Sequence, residues 1–203
     1  MGNFVCGSSR IAGCSFSIHP MRDDFIEIIT TALKEVDTSK VWIKTDDVST
    51  LVRGRIPHIF DVTKAIFLHA AKTGAHVAFE ATYSVGCPGD TTGDVFMAED
   101  DVVLNKEKVD FIKQEAATKF ALYPLGGGNY MDQIYAQIEA MKDRGVEVSG
   151  THYATRLDGE VVNIFNGLEK VFIDMEESGS SHTVMTVSMS ANSPSPKGGK
   201  VNE

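Results

Sequence analysis

The sequence predicts an α+β fold in which one βαββαβ unit is written twice, each copy an antiparallel sheet with two helices on one face. Three observations carry this reading. The two halves of the chain align with two small interruptions. Each half reads strand, helix, strand, strand, helix, strand from its hydrophobic period. The fourth strand of each copy has one apolar and one hydroxyl-bearing side.

The alignment starts with Phe16/Phe120, Ile18/Leu122 and Pro20/Pro124, each 104 residues apart. After one insertion the spacing is 105, from Phe25/Tyr130 through Thr50/Thr155, Gly54/Gly159, Ile59/Ile164, Phe60/Phe165, Phe67/Phe172 and Gly74/Gly179. After a second insertion it is 106, at His76/His182 and Pro88/Pro194. Single identities are sparse, but their ordered succession argues for a duplicated unit.

Within the first copy, SFSIH alternates and reads as a strand. Phe25, Ile28, Ile29, Ala32, Leu33 and Val36 recur at helical spacing behind an N-cap at Asp23 or Asp24. VWIKT and VSTLVRG form two strands around an Asp46-Asp47 turn. Ile59, Val62, Ile66 and Ala70 mark a second helix with Pro57 in its first turn, and HVAFEATYSV is the fourth strand. The second copy gives strands over 120–123, 146–149, 153–158 and 183–190, and helices over 130–142 and 162–177. This order is that of the ferredoxin-like sandwich. The expected organisation is a first repeat over 12–89, a linker over 90–116 with a short helix at 106–115, a second repeat over 117–193, and a disordered tail over 194–203.

Composition narrows the function. A net charge of −9 and a pI near 5.1 argue against a nucleic-acid binder. Three cysteines without a CxxC spacing, and six histidines without an HxH or HxxxH pair, point to neither a disulfide framework nor a metal site. No signal peptide or membrane-length apolar run is visible, so a cytoplasmic protein without membrane insertion is expected. GCPGDTTGD lacks the phosphate-loop pattern and reads as the exit from the first repeat. No acid, base and nucleophile set recurs in both copies, so no catalytic residue and no cofactor is expected.

The polar groups that stand out are two threonines. Thr50 shares its register with Val48 and Val52, and its twin Thr155 shares one with Tyr153 and Leu157. In a sheet of strand order 4-1-3-2, taking strands one and three as parallel neighbours puts Thr50 and Cys14 at one end, under the helices. The twin pair is Thr155 and Thr118. The hydroxyl face of the fourth strands is expected to pack against another sheet, from the partner repeat or a second chain.

The segments RIAGCSFSIHPM, DTSKVW, VSTLVRG, GCPGDTTGD, FALYP and SANSPSP together resemble the YkoF family of thiamine- and hydroxymethylpyrimidine-binding proteins. The resemblance runs from Cys6 to Pro196. It implies a tandem ferredoxin-like fold, a cytoplasmic homodimer, one thiamine site per repeat, a place in uptake or salvage of the pyrimidine half of thiamine, and no enzymatic activity. It also implies ligand contacts at Thr50 and Thr118, with a cysteine in the family where this chain has Thr118.

An aminopyrimidine suits hydroxyls and backbone groups in an apolar pocket, and a thiazolium suits aromatic faces and carboxylates. Further candidates are therefore Trp42, Asp46 and Asp47 in the first copy and His152 and Tyr153 in the second. Asp46-Asp47 aligns with Thr151-His152, which predicts unequal sites, the first favouring the cation. Competing readings are a ligand-sensing module that contacts a transporter and a thiamine-salvage enzyme. Structural roles compete at each position: Thr for strand propensity, the aspartates for a turn, Trp42 for packing and Cys14 as a small buried hydrophobe.

Overall fold

In the computed structural model the described residues are 11–86, 98, 100–125, 135, 138–139, 141–180 and 182–197. The first repeat is β1 (Ala12–Pro20), α1 (Phe25–Glu35), β2 (Trp42–Thr45), β3 (Thr50–Gly54), α2 (Ile56–Ala71) and β4 (Val77–Val85). A connecting segment carries the short helix α3 (Lys106–Val109). The second repeat has β5 (Glu115–Leu125), β6 (Glu147–Thr151), β7 (Ala154–Glu160), α4 (Val161–Glu177) and β8 (His182–Ala191), with helical residues at 135, 138–139 and 141–143 between β5 and β6. GCPGDTTGD beyond Gly86, the GGG turn, Cys6, Cys87 and residues 198–203 lie outside the described residues.

The two repeats share one sheet. Its order is β2-β3-β1-β4-β8-β5-β7-β6, and every neighbouring pair is antiparallel. In a single unit β4 would be an edge strand with unpaired backbone groups. Here β4 and β8 pair over their lengths, from Val77 opposite Ala191 to Val85 opposite Thr183. Two side-chain bonds related by the repeat reinforce that seam: His76 Nε2 to Ser190 Oγ at 3.0 Å and Ser84 Oγ to His182 Nε2 at 3.1 Å.

This arrangement corrects two expectations. β1 and β3 are antiparallel, with Phe16 opposite Thr50 and Cys14 opposite Val52. The helical crossovers run from β1 to β2 and from β3 to β4, so the β2–β3 hairpin turns β3 against β1. Thr50 and Cys14 still share the helix-covered face, one pair apart along the strands. The hydroxyl faces of the two repeats do not face one another either. Edge pairing lays them side by side as one open surface carrying Ser15, Ser17, Thr82, Ser84, Ser188 and Ser190.

The core lies between the sheet and the helices. Phe16, Phe67 and Phe79 pack in the first repeat, and the Phe60–Phe172 and Phe67–Phe165 contacts bring α2 and α4 together above the seam. α2 is the most deeply placed element. Every described side chain on it except Pro57 is buried, including His58, Asp61, Lys64 and His69. The periodicity of its sequence shows one apolar stripe, so this depth was not legible. α1, α4 and the connecting segment cover its other sides. Asn105, 1% exposed, anchors that segment: its Nδ2 donates to Asp61 Oδ2 at 2.8 Å and to the Asp37 carbonyl at 3.0 Å. Lys40–Asp100 and Arg55–Asp101 pairs at 2.5 Å hold the residues before it.

Several local expectations change. α3 ends at Val109 rather than 115, and Val109 and Ile112 still bury their side chains. Pro57 sits in the first turn of α2 as expected. Asp24 occupies the N-cap of α1 but pairs with Arg22 at 2.6 Å instead of capping. Gly54 and Gly159 answer to a shared constraint: a Cβ on either would meet Val41 at 3.2 Å or Val146 at 3.4 Å. Asn192 of SANSPSP has φ of 55° and donates to the Ala71 and Ala75 carbonyls at 3.0 and 2.9 Å, tying the end of β8 to the turn after α2.

Candidate functional site

On the helix-covered face each repeat holds polar groups, and they are satisfied differently. In the first repeat Cys14, Tyr83 and Thr63 form a closed chain. The Cys14 thiol bonds the Tyr83 hydroxyl, and that hydroxyl lies 2.8 Å from Thr63 Oγ1, which also donates to the Ile59 carbonyl at 2.8 Å. Burial pushes the Cys14 thiol and the Tyr83 phenol well above their ordinary pKa values, so both stay neutral. Tyr83 also stacks on Phe60 with centroids 4.3 Å apart.

The second repeat replaces every member of that chain. Thr118 stands for Cys14, Met189 for Tyr83 and Leu168 for Thr63, at spacings of 104, 106 and 105. Thr118 is 1% exposed, lies opposite Leu157 and Met189, and its Oγ1 has no hydrogen-bond partner among the described residues. A buried hydroxyl left unpaired costs about 1–3 kcal/mol. Native cores seldom tolerate this without a reason, such as a partner that arrives later.

Thr50 is buried at the start of β3, and its Oγ1 lies 2.9 Å from Thr45 Oγ1 across the hairpin. Its twin Thr155 is half-buried opposite Phe120 and Gly150, so the threonine-to-threonine bond has no counterpart there. The apolar register expected around these threonines does not hold at its outer ends. Val48 is in the turn and 79% exposed. Tyr153 is in the β6–β7 turn with φ of 65° and is 98% exposed.

The remaining candidates lie elsewhere. Asp46 Oδ1 accepts the Val48 and Ser49 amides at 2.9 Å, and these bonds hold its carboxyl below the ordinary range. Asp47 is exposed in the same turn, and His152 is exposed beside Tyr153. Trp42 is on the opposite, open face, where the Arg53 guanidinium carbon lies 5.7 Å from its ring centroid. It lines a depression of about 530 Å³ with Gly13, Ser15, Leu51, Arg53 and Thr82. Thus Thr50 and Cys14 share one face, with the Asp46-Asp47 turn joining Thr45 to Thr50 at the end of the hairpin, and Thr118 and Thr155 share the same face of the second repeat, while Trp42 lies on the opposite face. The equivalent open-face region of the second repeat is charged: Arg156 pairs with Asp158 at 2.6 Å and lines a depression of about 490 Å³ with Ala117, Ser190 and tail residues Ser195 to Lys197. Tyr83 and Thr63 escaped the sequence reading because Tyr83 lies in an apolar register. A tyrosine opposite a cysteine on a core face was the available signal.

A family model described as YKOF-related Family matches residues 11–90 and 115–196, one match on each repeat. The chain belongs to the YkoF-related family. A Bacillus subtilis (strain 168) relative is 50% identical over 196 residues, covering 97% of this chain and 98% of its own. Its name, itself a provisional one, is HMP/thiamine-binding protein YkoF. The two matches make each repeat of this chain one copy of the unit that defines the YkoF-related family. Among the described residues no group of three or more His, Cys, Asp or Glu side chains could hold a metal, and no helix is long and apolar enough to cross a membrane.

Proposed function

We propose that this protein binds thiamine or its hydroxymethylpyrimidine moiety, with one site in each repeat, and serves uptake or salvage of that precursor in the cytoplasm as a non-enzymatic binder. The observation that carries the reading is the unpaired, buried Thr118 hydroxyl at a position where the first repeat closes its own hydrogen bonds. A hydroxyl both donates and accepts, as an aminopyrimidine edge requires. The binding role borne by the name of the Bacillus subtilis relative supports the choice of ligand.

The two sites differ in this reading. The second repeat offers Thr118 and half-buried Thr155. The first offers the Thr45–Thr50 pair and the acidic Asp46-Asp47 turn, and so favours the thiazolium cation. A second copy of the chain covers the open sheet face, whose short serine and threonine side chains let two sheets approach closely and bond across. Ligand-dependent contact with a transporter remains compatible with the same sites.

A thermal-shift screen with thiamine, hydroxymethylpyrimidine and thiamine phosphates tests the proposal. A ligand that binds only the folded state raises the midpoint by mass action. Stabilisation by thiamine or hydroxymethylpyrimidine is expected, and no shift with any compound at millimolar concentration overturns it. Conversion of a stabilising compound, followed by mass spectrometry, would restore the enzyme reading.

A further inference from the structure

A cavity of about 290 Å³, roughly ten water molecules in size, lies on the internal two-fold between the repeats. Its walls are α2, α4 and the connecting segment, on the helix side of the protein, and none of the residues assigned to thiamine lines it. The duplication supplies it with matched pairs. Phe60 and Phe165 are repeat equivalents, as are Asp61 and Asn166, and Lys64 and Glu169, each 105 residues apart. Asp101, Val103 and Lys106 complete it from the segment that has no counterpart in the repeat.

The wall carries donors at Lys64, Lys106 and Asn166, yet one of its acidic atoms bonds none of them. Asp61 is 5% exposed. Its Oδ2 accepts from the Leu104 amide at 3.2 Å, the Asn105 amide at 3.0 Å and Asn105 Nδ2 at 2.8 Å. Its other oxygen, Oδ1, is buried with no partner among the described residues. Lys64 does not supply one, since its Nζ is committed to Asp110 at 3.0 Å. Asp101 is committed to Arg55 at 2.5 Å. Glu169 faces the same space, and burial pushes its carboxyl up to about 7, with Asp61 adding to the rise and Lys64 opposing it. Two carboxyl groups and two phenyl rings around one cavity form a surface for a cation that carries N–H donors.

The geometry points to a second ligand site here, specific for a small primary-ammonium compound whose N–H groups bond Asp61 Oδ1 and the Glu169 carboxylate. Such a ligand bridges α2 of one repeat, α4 of the other and the connecting segment. It therefore stiffens the junction between the repeats. A quaternary ammonium carries the charge but no N–H and does not satisfy Asp61. Because Glu169 is partly protonated near neutrality, cation binding expels its proton.

The test is calorimetric titration of the full chain at pH 7 with 1,4-diaminobutane and ethanolamine, with tetramethylammonium as control, with and without saturating thiamine. One site per chain is expected for either primary amine, unchanged by thiamine, and none for tetramethylammonium. Repeating the titration in buffers of different ionisation enthalpy should show release of a fraction of a proton. Asp61→Asn should lower affinity by about tenfold or more. Glu169→Gln, on the opposite wall, should also weaken binding and abolish proton release, which keeps the test decisive if Asp61→Asn disturbs the Asn105 anchor. No saturable amine binding at millimolar concentration, equal binding of tetramethylammonium, displacement by thiamine, or unchanged binding in Glu169→Gln overturns the proposal.

Discussion

Replacing Thr118 by valine should stabilise the ligand-free protein. The substitution keeps the branched shape and β-propensity of the side chain and removes only the hydroxyl. That hydroxyl is buried, opposite Leu157 and Met189, with no partner among the described residues. Relief of its desolvation cost is worth about 1–2 kcal/mol. At about 2–4 °C per kcal/mol for a chain of this length, the midpoint should rise by roughly 2–8 °C. The same change deletes the bond the ligand is proposed to make, a loss of about 1–1.5 kcal/mol and hence about tenfold in affinity. Differential scanning calorimetry with and without hydroxymethylpyrimidine reads both effects. Tyr83→Phe in the first repeat is the reference. It breaks the 2.8 Å bond to Thr63 and should cost about 1 kcal/mol. A Thr118→Val protein less stable than wild type, with unaltered ligand response, would refute the reasoning: Thr118 would then already have a partner.

Three further outcomes follow from the same contacts. Asn105→Ala should lose about 2–4 kcal/mol, because it leaves the Asp37 amide and carbonyl without their partner and removes one of the three bonds to Asp61 Oδ2, and trypsin should then cut the connecting segment more readily. Glu169→Gln should change the pH dependence of stability. The folded carboxyl titrates near 7 against an ordinary value of 4.5, so the native state holds more protons between those values and wild-type stability falls as pH rises through that window. The variant should lack this slope and gain on the order of 2 kcal/mol relative to wild type at pH 8, read from urea melts at several pH values. Thr82→Arg on the open sheet face, where the side chain is exposed, should leave the fold intact and convert a dimer to monomer in sedimentation velocity. A wild-type chain that is already monomeric contradicts the sheet-to-sheet dimer.

Much of the fold was legible because periodicity and duplication are properties of the chain alone. The alternation in SFSIH, the helical spacing from Phe25 to Val36 and the twin glycines Gly54 and Gly159 each encode a local shape. What the sequence did not reveal depends on long-range pairing. Nothing in VAFEATYSV says that its open edge meets β8, so the sequence leaves open whether the hydroxyl faces meet each other, meet a second chain or lie side by side. The antiparallel direction of β3 against β1, by contrast, follows from the β2–β3 hairpin and is contained in the element order. Val48 and Tyr153 looked like strand residues because turn positions can carry apolar side chains when they project into solvent. At the candidate site, the sequence placed Thr118 and Cys14 under the helices. It could not tell that one is satisfied and the other is not. That difference lies in Tyr83 against Met189 and Thr63 against Leu168, contacts that exist only after folding.

The central claim is that each repeat offers a thiamine or hydroxymethylpyrimidine site and that Thr118 anchors the second. Calorimetric titration of wild type and Thr118→Val with both compounds tests it most directly. Two unequal sites per chain are expected in wild type, with loss or about tenfold weakening of one of them in the variant. Identical isotherms for the two proteins, or no saturable heat with either compound, would contradict it.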